Sequence, residues 1–210
     1  MIENIHWLGH DTFRIENDKT IYIDPIKLKG RPLKADLILI THDHFDHCSP
    51  DDVAKVAKDD TVIVTIAAAA QNLKGDVRVV KPGESLVVQG IPIETVPAYN
   101  VSKFRSPGVP FHPKESGHVG FIITVGGVRI YHAGDTDVIP EMDDIETDVA
   151  LLPVGGTYTM TADEAAEAAN RIQPQVAIPM HWGAIVGSAS DAQRFSDLCQ
   201  MEVVILSQEG

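Results

Sequence analysis

The sequence predicts an α/β fold in which two β-sheets pack together with helices outside them, a four-layer αββα sandwich. Strand-like and helical segments alternate along the chain, and this order occurs twice. Several of the apolar segments are continuous rather than alternating, as expected of strands buried on both faces. We expect one domain spanning residues 1–210, because a chain of this length can bury a sizeable core.

Strand signals dominate the first half of the chain. We predict strands at 2–8, 12–16, 20–23, 37–40, 62–66, 77–80, 85–89 and 91–96. Ser49 followed by Pro50 and two acidic residues indicates the start of a helix, because serine caps helix ends and proline suits the first helical position. An alanine-rich helix is predicted at 67–73. From 99 to 117 the pattern lapses into a proline- and glycine-containing excursion, typical of a functional loop.

The second half repeats the alternation. We predict strands at 119–125, 128–131, 148–152, 176–178 and 203–206. Thr161 and Glu164 form a capping-box pattern that opens a helix to about Ile172. Ser190 is the predicted cap of a last helix, which reaches about Leu198.

The composition limits the classes of partner. The net charge is −13, so the surface repels nucleic acid and anionic membranes at long range. The two cysteines cannot form a disulfide framework, and neither a signal peptide nor a membrane span is recognisable. We therefore expect a cytoplasmic protein that acts on a small molecule, without a nucleic-acid or membrane partner. The sequence is compatible with a homo-oligomer as well as with a monomer.

A dense group of metal-ligating side chains follows the apolar segment 37–40. His42, His44, Asp46 and His47 lie within six residues, in the spacing H-x-H-x-D-H. Imidazole and carboxylate groups are the ligands of zinc, iron or manganese. Positions i and i+2 of an extended segment face the same way, so His42 and His44 can share one ion. The sequence therefore predicts a metal site in the loop between this strand and the helix after Ser49.

Other motifs occur around this segment in a fixed order. They are Trp7–His10, Ile23–Pro25, His132–Asp137, Leu152–Gly156 and Pro179–Trp182. Together with Thr41–His47, they resemble the motifs of the metallo-β-lactamase superfamily, in particular its small single-domain branch of metal-dependent hydrolases and ascorbate-6-phosphate lactonases. The resemblance runs from Trp7 to Trp182 and implies the metallo-β-lactamase fold.

The resemblance also implies a ligand set. His42 and His44 would hold a first divalent ion, Asp46, His47 and His181 a second, and Asp135 would bridge the two. Asp46 and Asp135 are the expected catalytic residues. One or two ions are expected, zinc first, with manganese, iron or nickel as alternatives. Three residues would support the ligands: Asp24, which would orient a ligand histidine, His10 and His132.

The sequence departs from the family at Asn100, where the superfamily places a third histidine for the first ion. Two alternatives follow. Asn100 binds weakly through its amide oxygen, leaving a labile first site, or His112 comes in from the excursion.

Further residues are candidates for substrate contacts. They are Lys114, Thr157, Tyr158 and Trp182. His6 and His118 are expected to be structural or exposed.

The predicted function is that of a metal-dependent hydrolase, in which a metal-bound hydroxide attacks an ester-, lactone- or phosphoester-like small substrate. Two alternatives remain: an iron-bound redox protein on the same fold, and a metal-binding module without turnover.

Overall fold

The computed structural model describes residues 2–209. Its strands are β1 (Ile5–Gly9), β2 (Thr12–Glu16), β3 (Thr20–Ile23), β4 (Leu37–Ile40), β5 (Val62–Thr65), β6 (Asp76–Val79), β7 (Ser85–Val88), β8 (Ile91–Pro97), β9 (Phe104–Ser106), β10 (Val109–Pro110), β11 (Val119–Val125), β12 (Val128–His132), β13 (Val149–Pro153), β14 (Val176–Met180) and β15 (Glu202–Val203). Its helices are α1 (Pro50–Val56), α2 (Ala67–Ala70), α3 (Ala162–Ile172) and α4 (Ala189–Leu198), with 3-10 helices at Lys114–Ser116 and Pro140–Asp144.

Two large sheets carry the fold. The first has the strand order β1-β2-β3-β4-β5-β6, antiparallel from β1 to β3 and parallel from β3 to β6. The second has the order β15-β14-β13-β12-β11-β8-β7, parallel from β12 to β15 and antiparallel from β12 to β7. In both sheets the parallel strands end at the same edge, and the loops that follow them lie close together.

The buried side chains form one hydrophobic cluster that includes both sheets. Every residue of β4, β13 and β14 is buried, as expected of parallel strands covered on both faces. Helix α3 packs on β13, and α4 packs on both α3 and β14. The α/β fold class predicted from the alternating segments is therefore confirmed.

Several predicted boundaries are wrong at the ends of elements. The first strand begins at Ile5 rather than residue 2, because the N–H of Ile5 bonds back to the carbonyl of Ile2 in a turn. The last helix begins after Ser188 rather than Ser190, and Ser188 N–H donates to the Asp191 carboxylate at 2.8 Å. The final strand is only two residues long, because β15 pairs with β14 at two positions and then leaves the sheet.

The excursion at 99–117 has structure of its own. It contains the short hairpin of β9 and β10 and one 3-10 helix, followed by Gly117 in a left-handed conformation. Within residues 2–209, no helix combines the length and apolar character that a membrane span requires.

Candidate metal centre

The motifs that are separated along the sequence meet at one edge of the two sheets. Asp24 follows β3, His42 follows β4, Asp135 comes soon after β12, and His181 follows β14 directly. These four strands belong to the parallel parts of their sheets, so their carboxyl ends meet at this edge. The turn between β1 and β2 adds His10 and Asp11 to the same place.

One part of the cluster, here called the histidine half, consists of His42, His44 and His112. The Nδ1 atom of His44 lies 3.1 Å from His42 Nε2 and 3.2 Å from His112 Nε2. Two nitrogens bound at about 2.0–2.1 Å to a tetrahedral zinc ion lie about 3.3 Å apart. The three imidazoles are therefore spaced as ligands of one ion would be.

The second part, here called the carboxylate half, combines imidazole and carboxylate groups. Its members are His10, Asp11, Asp46, His47, Asp135 and His181. The Oδ1 atom of Asp135 lies 3.3 Å from Nε2 of both His47 and His181. Asp46 Oδ2 lies 3.3 Å from His10 Nε2. These distances also match the edge of a metal coordination sphere.

Asp135 touches both halves of the cluster. While its Oδ1 faces His47 and His181, its Oδ2 lies 3.2 Å from His112 Nε2. A carboxylate in this position can ligate two ions at once, one through each oxygen.

Hydrogen bonds to the far ring nitrogens fix which nitrogen of each histidine faces the cluster. Asp24 Oδ2 accepts from His47 Nδ1 at 2.8 Å, which leaves the lone pair on His47 Nε2. Thr41 donates its hydroxyl to Asp24 at 2.7 Å, so its oxygen is left to accept from His42 Nδ1 at 3.0 Å. In its neutral form, each of these histidines therefore directs an unprotonated Nε2 at the place where the donors converge.

Asn100 holds His112 rather than facing the cluster. Its Nδ2 donates to Asp137 Oδ1 at 3.0 Å and to the Tyr158 carbonyl at 2.9 Å. Since both of these partners are acceptors, the orientation of the amide is determined. Its Oδ1 accepts from His112 N–H at 2.8 Å and from His112 Nδ1 at 2.9 Å. Of the two alternatives for this position, the geometry favours His112 as the third nitrogen donor.

Many buried donor atoms of the cluster lack a hydrogen-bond partner within the described chain. They are His10 Nδ1, both carboxylate oxygens of Asp11, His47 Nε2, Asp135 Oδ1, and both ring nitrogens of His181. Several lie 3.3 Å from one another, yet the groups are not aligned to form hydrogen bonds. Buried polar atoms without partners are costly, and a shared cation satisfies all of them at once. The donor set therefore fits a metal ion, by this observation and by its chemistry.

The two halves differ in protonation. In the histidine half, burial lowers the pKa of His42 and His44, and neighbouring imidazoles lower it further. Burial also lowers the pKa of nearby His118 to about 4. These side chains are neutral at pH 7, as metal ligands must be.

In the carboxylate half, the pKa of the histidines is shifted in the opposite direction. Burial opposes protonation of His47 and His181, but the neighbouring carboxylates, Asp135 first and then Asp11, with Asp24 at His47, together outweigh it. The pKa of His47 is raised well above its usual value, and that of His181 is raised to about 9. The same pairing holds the pKa of Asp135 well below its usual range despite burial. In the metal-free protein at pH 7, protons on these two imidazoles therefore balance the negative charge of the carboxylates.

The backbone is strained at three positions around the cluster. His10, Asp24 and His181 have φ values of 52°, 44° and 58°, in the left-handed region that glycine adopts most easily. Residues in this conformation cost about 1–3 kcal/mol each and cluster at functional sites. At Gly155, a Cβ would lie 2.9 Å from His181 Nδ1 and closer still to its carbonyl. The glycine therefore permits the close approach of this loop to His181.

A pocket of about 280 Å³ opens beside the cluster. Its metal-site lining consists of His44, Asp46, His112 and Asp135, and the other lining residues are Phe45, Arg105, Phe111, Tyr158 and Ile185. Phe45 is 77% exposed although it is large and apolar, and the Arg105 guanidinium lies 5.7 Å from the centre of the Phe111 ring. The pocket thus combines apolar surface with one positive charge.

Three of the proposed substrate contacts do not line this pocket. Lys114 donates to Glu141 at 2.8 Å and lies over Tyr99, so its charge is already paired elsewhere. Trp182 stacks on Trp7 at 4.6 Å and donates to the Pro179 carbonyl, a packing role. Thr157 is exposed outside the pocket. The structure therefore places these three side chains outside the pocket, whereas Tyr158 lines it and packs edge-on against Phe111.

Other residues were missed from the sequence or placed differently. Arg105, not Lys114, is the pocket cation. His118, expected to be structural or exposed, is buried and groups with His42 and His112. His132 donates from Nε2 to the Asp11 carbonyl at 2.9 Å, and its Nδ1 accepts from Gly134 N–H. It therefore ties the β1–β2 turn to the loop of Asp135, without facing the cluster.

Comparison with known proteins agrees with this geometry. The family model described as the beta-lactamase superfamily domain matches residues 4–181. A UPF0173 metal-dependent hydrolase of Thermoplasma acidophilum is 36% identical over 211 residues, covering 92% of this chain and 89% of that protein. A crystal structure from Parabacteroides distasonis, classed as a metal-dependent hydrolase, has a TM-score of 0.86 and 34% identity, covering 98% of this chain and 93% of its own.

A second solved structure, of the metallo hydrolase Igni18 from Ignicoccus hospitalis, has a TM-score of 0.77 and 26% identity, and the match covers 98% of this chain and 95% of that one. The family match spans most of the chain and includes the edge of the sheets where the donors converge. The chain therefore belongs to the metallo-β-lactamase superfamily and to its UPF0173 group of metal-dependent hydrolases.

Proposed function

We propose that this protein hydrolyses an ester-, lactone- or phosphoester-like small molecule with two divalent ions, one held by each half of the cluster. The supporting observation is the convergence of buried, unpartnered donors at ligand spacing. Divalent ions in such a site supply Lewis acidity and lower the pKa of a bound water toward neutrality.

The chain's own residues have distinct roles in this proposal. His42, His44 and His112 would hold the first ion, and His47, His181 and Asp46 the second. Asp135 would be a ligand of both ions, because each of its oxygens faces a different half. Asn100 and Asp24 would each orient a ligand histidine through its far nitrogen.

The pocket suggests the kind of substrate. Phe45, Phe111 and Ile185 offer apolar contacts, and Arg105 offers the single positive charge among the pocket-lining residues that are described. This combination fits a small molecule with an apolar part and an anionic group. Lactones of the kind cleaved by the ascorbate-6-phosphate lactonases are therefore part of the test.

The test is a hydrolase panel run on untagged protein loaded separately with zinc, manganese, iron or nickel. It contains lactones, carboxylic esters, thioesters and phosphodiesters, each with and without an anionic group. We expect turnover of at least one class, lost in His42→Ala and Asp135→Ala and retained in His6→Ala. His6 is a suitable control because it pairs with Glu209 outside the cluster.

Two results would contradict the proposal. Normal turnover in His42→Ala or Asp135→Ala would show that the cluster does not perform the reaction. No turnover of any substrate with any metal would favour a metal-binding module, and an oxygen-sensitive iron spectrum would then favour a redox protein.

A further inference from the structure

Asp11 is the most deeply buried acidic side chain of the carboxylate half, and the superfamily motifs gave it no role. Its relative exposure is 0%, and neither carboxylate oxygen has a hydrogen-bond partner among the described residues. By contrast, both oxygens of equally buried Asp24 accept hydrogen bonds from Thr41. A buried carboxylate without hydrogen-bond partners is costly in free energy, so its position calls for a physical explanation.

The backbone around Asp11 is fixed on several sides. Its carbonyl accepts from His132 Nε2 at 2.9 Å. The carbonyl of the preceding His10 accepts from Trp7 Nε1 at 2.8 Å and from His181 N–H at 3.1 Å. These bonds therefore hold the backbone of the turn in place beside His181.

The carboxylate faces the ligand nitrogens of the second ion. Asp11 Oδ2 lies 3.3 Å from His47 Nε2 and 3.7 Å from His181 Nε2. Ligand atoms of Asp11, His47, Asp135 and His181 all lie within 4.8 Å of one another. These spacings are those of atoms that share one cation, and the angles do not form hydrogen bonds between them.

We propose that Asp11 is a further ligand of the ion in the carboxylate half, an inference that rests on the metal-dependent function proposed above. With Asp46 and Asp135, it brings three carboxylates to this half, whereas the histidine half has nitrogen donors. Oxygen-rich sites suit manganese and other hard ions better than nitrogen-rich sites do. The two halves therefore select different ions, and Asp11 contributes to that difference.

The test compares metal binding by untagged wild-type protein, Asp11→Asn and Asp11→Ala. The affinities for Mn²⁺ and Zn²⁺ are measured by competition with a chromophoric chelator, and bound metal is counted after dialysis. Asp43→Asn is the matched control, because Asp43 lies in the same loop as the ligands but is exposed, with a carboxylate oxygen 3.7 Å from His118 Nε2.

We expect both Asp11 variants to bind one of the two ions at least about tenfold more weakly, with a larger loss for Mn²⁺ than for Zn²⁺. The other ion is bound as in wild type. Asp43→Asn changes either affinity less than about twofold, because solvent and salt screen an exposed charge. Metal loading raises the Tm of Asp11→Asn less than that of wild type, because a more weakly bound ion stabilises the folded state less.

A crystal structure of the wild-type protein with Zn²⁺ provides a test that does not depend on a variant folding. An Asp11 oxygen within about 2.3 Å of an ion supports the proposal, and one beyond about 3 Å overturns it. Wild-type affinities for both ions in both Asp11 variants also overturn the proposal. In that case the variants still bind two ions, and the proposed function is unaffected. A wild-type protein that binds no ion overturns both.

Discussion

The histidine half and the carboxylate half lie side by side, yet the pKa values of their histidines are shifted in opposite directions. In the histidine half, burial lowers the pKa of His42 and His44, so each of these imidazoles is neutral at pH 7 and has one nitrogen free to bind a cation. In the carboxylate half, the negative charge of Asp135 raises the pKa of His47 and His181. One half is thus ready for a cation, and the other must release protons to accept it.

This difference indicates that proximity alone does not make the two sites alike. Asp135 belongs to both, but it faces the histidine half through one oxygen and the carboxylate half through the other. The supporting residues also differ, since Asn100 orients His112 and Asp24 orients His47. Substitutions that alter one half at a time show how far the two halves bind their ions independently.

The largest effect is expected at the residue that the two halves share. Asp135→Ala removes one ligand from each proposed ion, and we expect turnover to fall by at least about 10³-fold, since metal-assisted catalysis supplies several kcal/mol. Metal analysis should show weaker binding of both ions, with an unchanged far-ultraviolet circular dichroism spectrum. Loss of only one ion would mean that Asp135 serves one half alone.

The next effect is confined to the histidine half. In Asn100→Ala, His112 loses the acceptor of its Nδ1 and its backbone N–H, so we expect one ion to bind about tenfold to 100-fold more weakly. Exposed Asn72→Ala is the control. The double variant Asn100→Ala, His112→Ala should hold one ion tightly, and two tightly held ions would contradict the role of both residues.

A smaller effect is expected at Thr41, whose hydroxyl links the supports of both halves. Thr41→Val leaves Asp24 without one donor and His42 Nδ1 without its acceptor. Titration with Zn²⁺ should show both ions bound about tenfold more weakly, the low end of such effects. Thr41→Ser keeps the hydroxyl and should restore wild-type affinity, and failure of this rescue would assign the effect to packing.

The smallest effect concerns the stability of the metal-free protein against pH. Folded His181 keeps its proton up to about pH 9, whereas its ordinary pKa is 6.5. This contribution is fully present below pH 6.5 and is lost as the pH rises to about 9. His118, whose pKa is lowered from 6.5 to about 4, contributes stability that is lost as the pH falls through that range.

Thermal unfolding with a chelator present should therefore show a maximum in Tm near pH 6.5, falling by roughly several degrees toward pH 9. In His181→Asn the fall on the alkaline side should be reduced. A Tm that rises steadily from pH 6.5 to 9 in the wild-type protein would contradict the protonation assigned to the carboxylate half.

Much of the fold was predictable because its signals are local. The continuous apolar segment at β4 and the capping box of α3 predict a buried strand and a helix, and both occur as predicted. The motif after β4 placed its histidines at a strand end, where parallel sheets bring loops together. At β15 the boundary is decided by tertiary pairing with β14, whereas at Ser188 the error was a missed local capping interaction with Asp191.

The remainder of the cluster depends on pairing across the molecule. Asp11 lies in a turn of the first sheet and meets His181 from the second, and no local pattern encodes that approach. Arg105 and Lys114 are both basic residues of one excursion, and only the folded loop shows that Glu141 pairs with Lys114 while Arg105 lines the pocket. Sequence spacing cannot distinguish the two.

The left-handed backbone at His10, Asp24 and His181 has a consequence for engineering this protein. Glycine at these positions would relieve the unfavourable torsion angles, as stabilising substitutions elsewhere often do. Each such change would also delete a side chain that faces the cluster or fixes its geometry. A variant selected only for heat resistance at these positions would therefore bind cations more weakly, because it would lack the side chains that bind or position them.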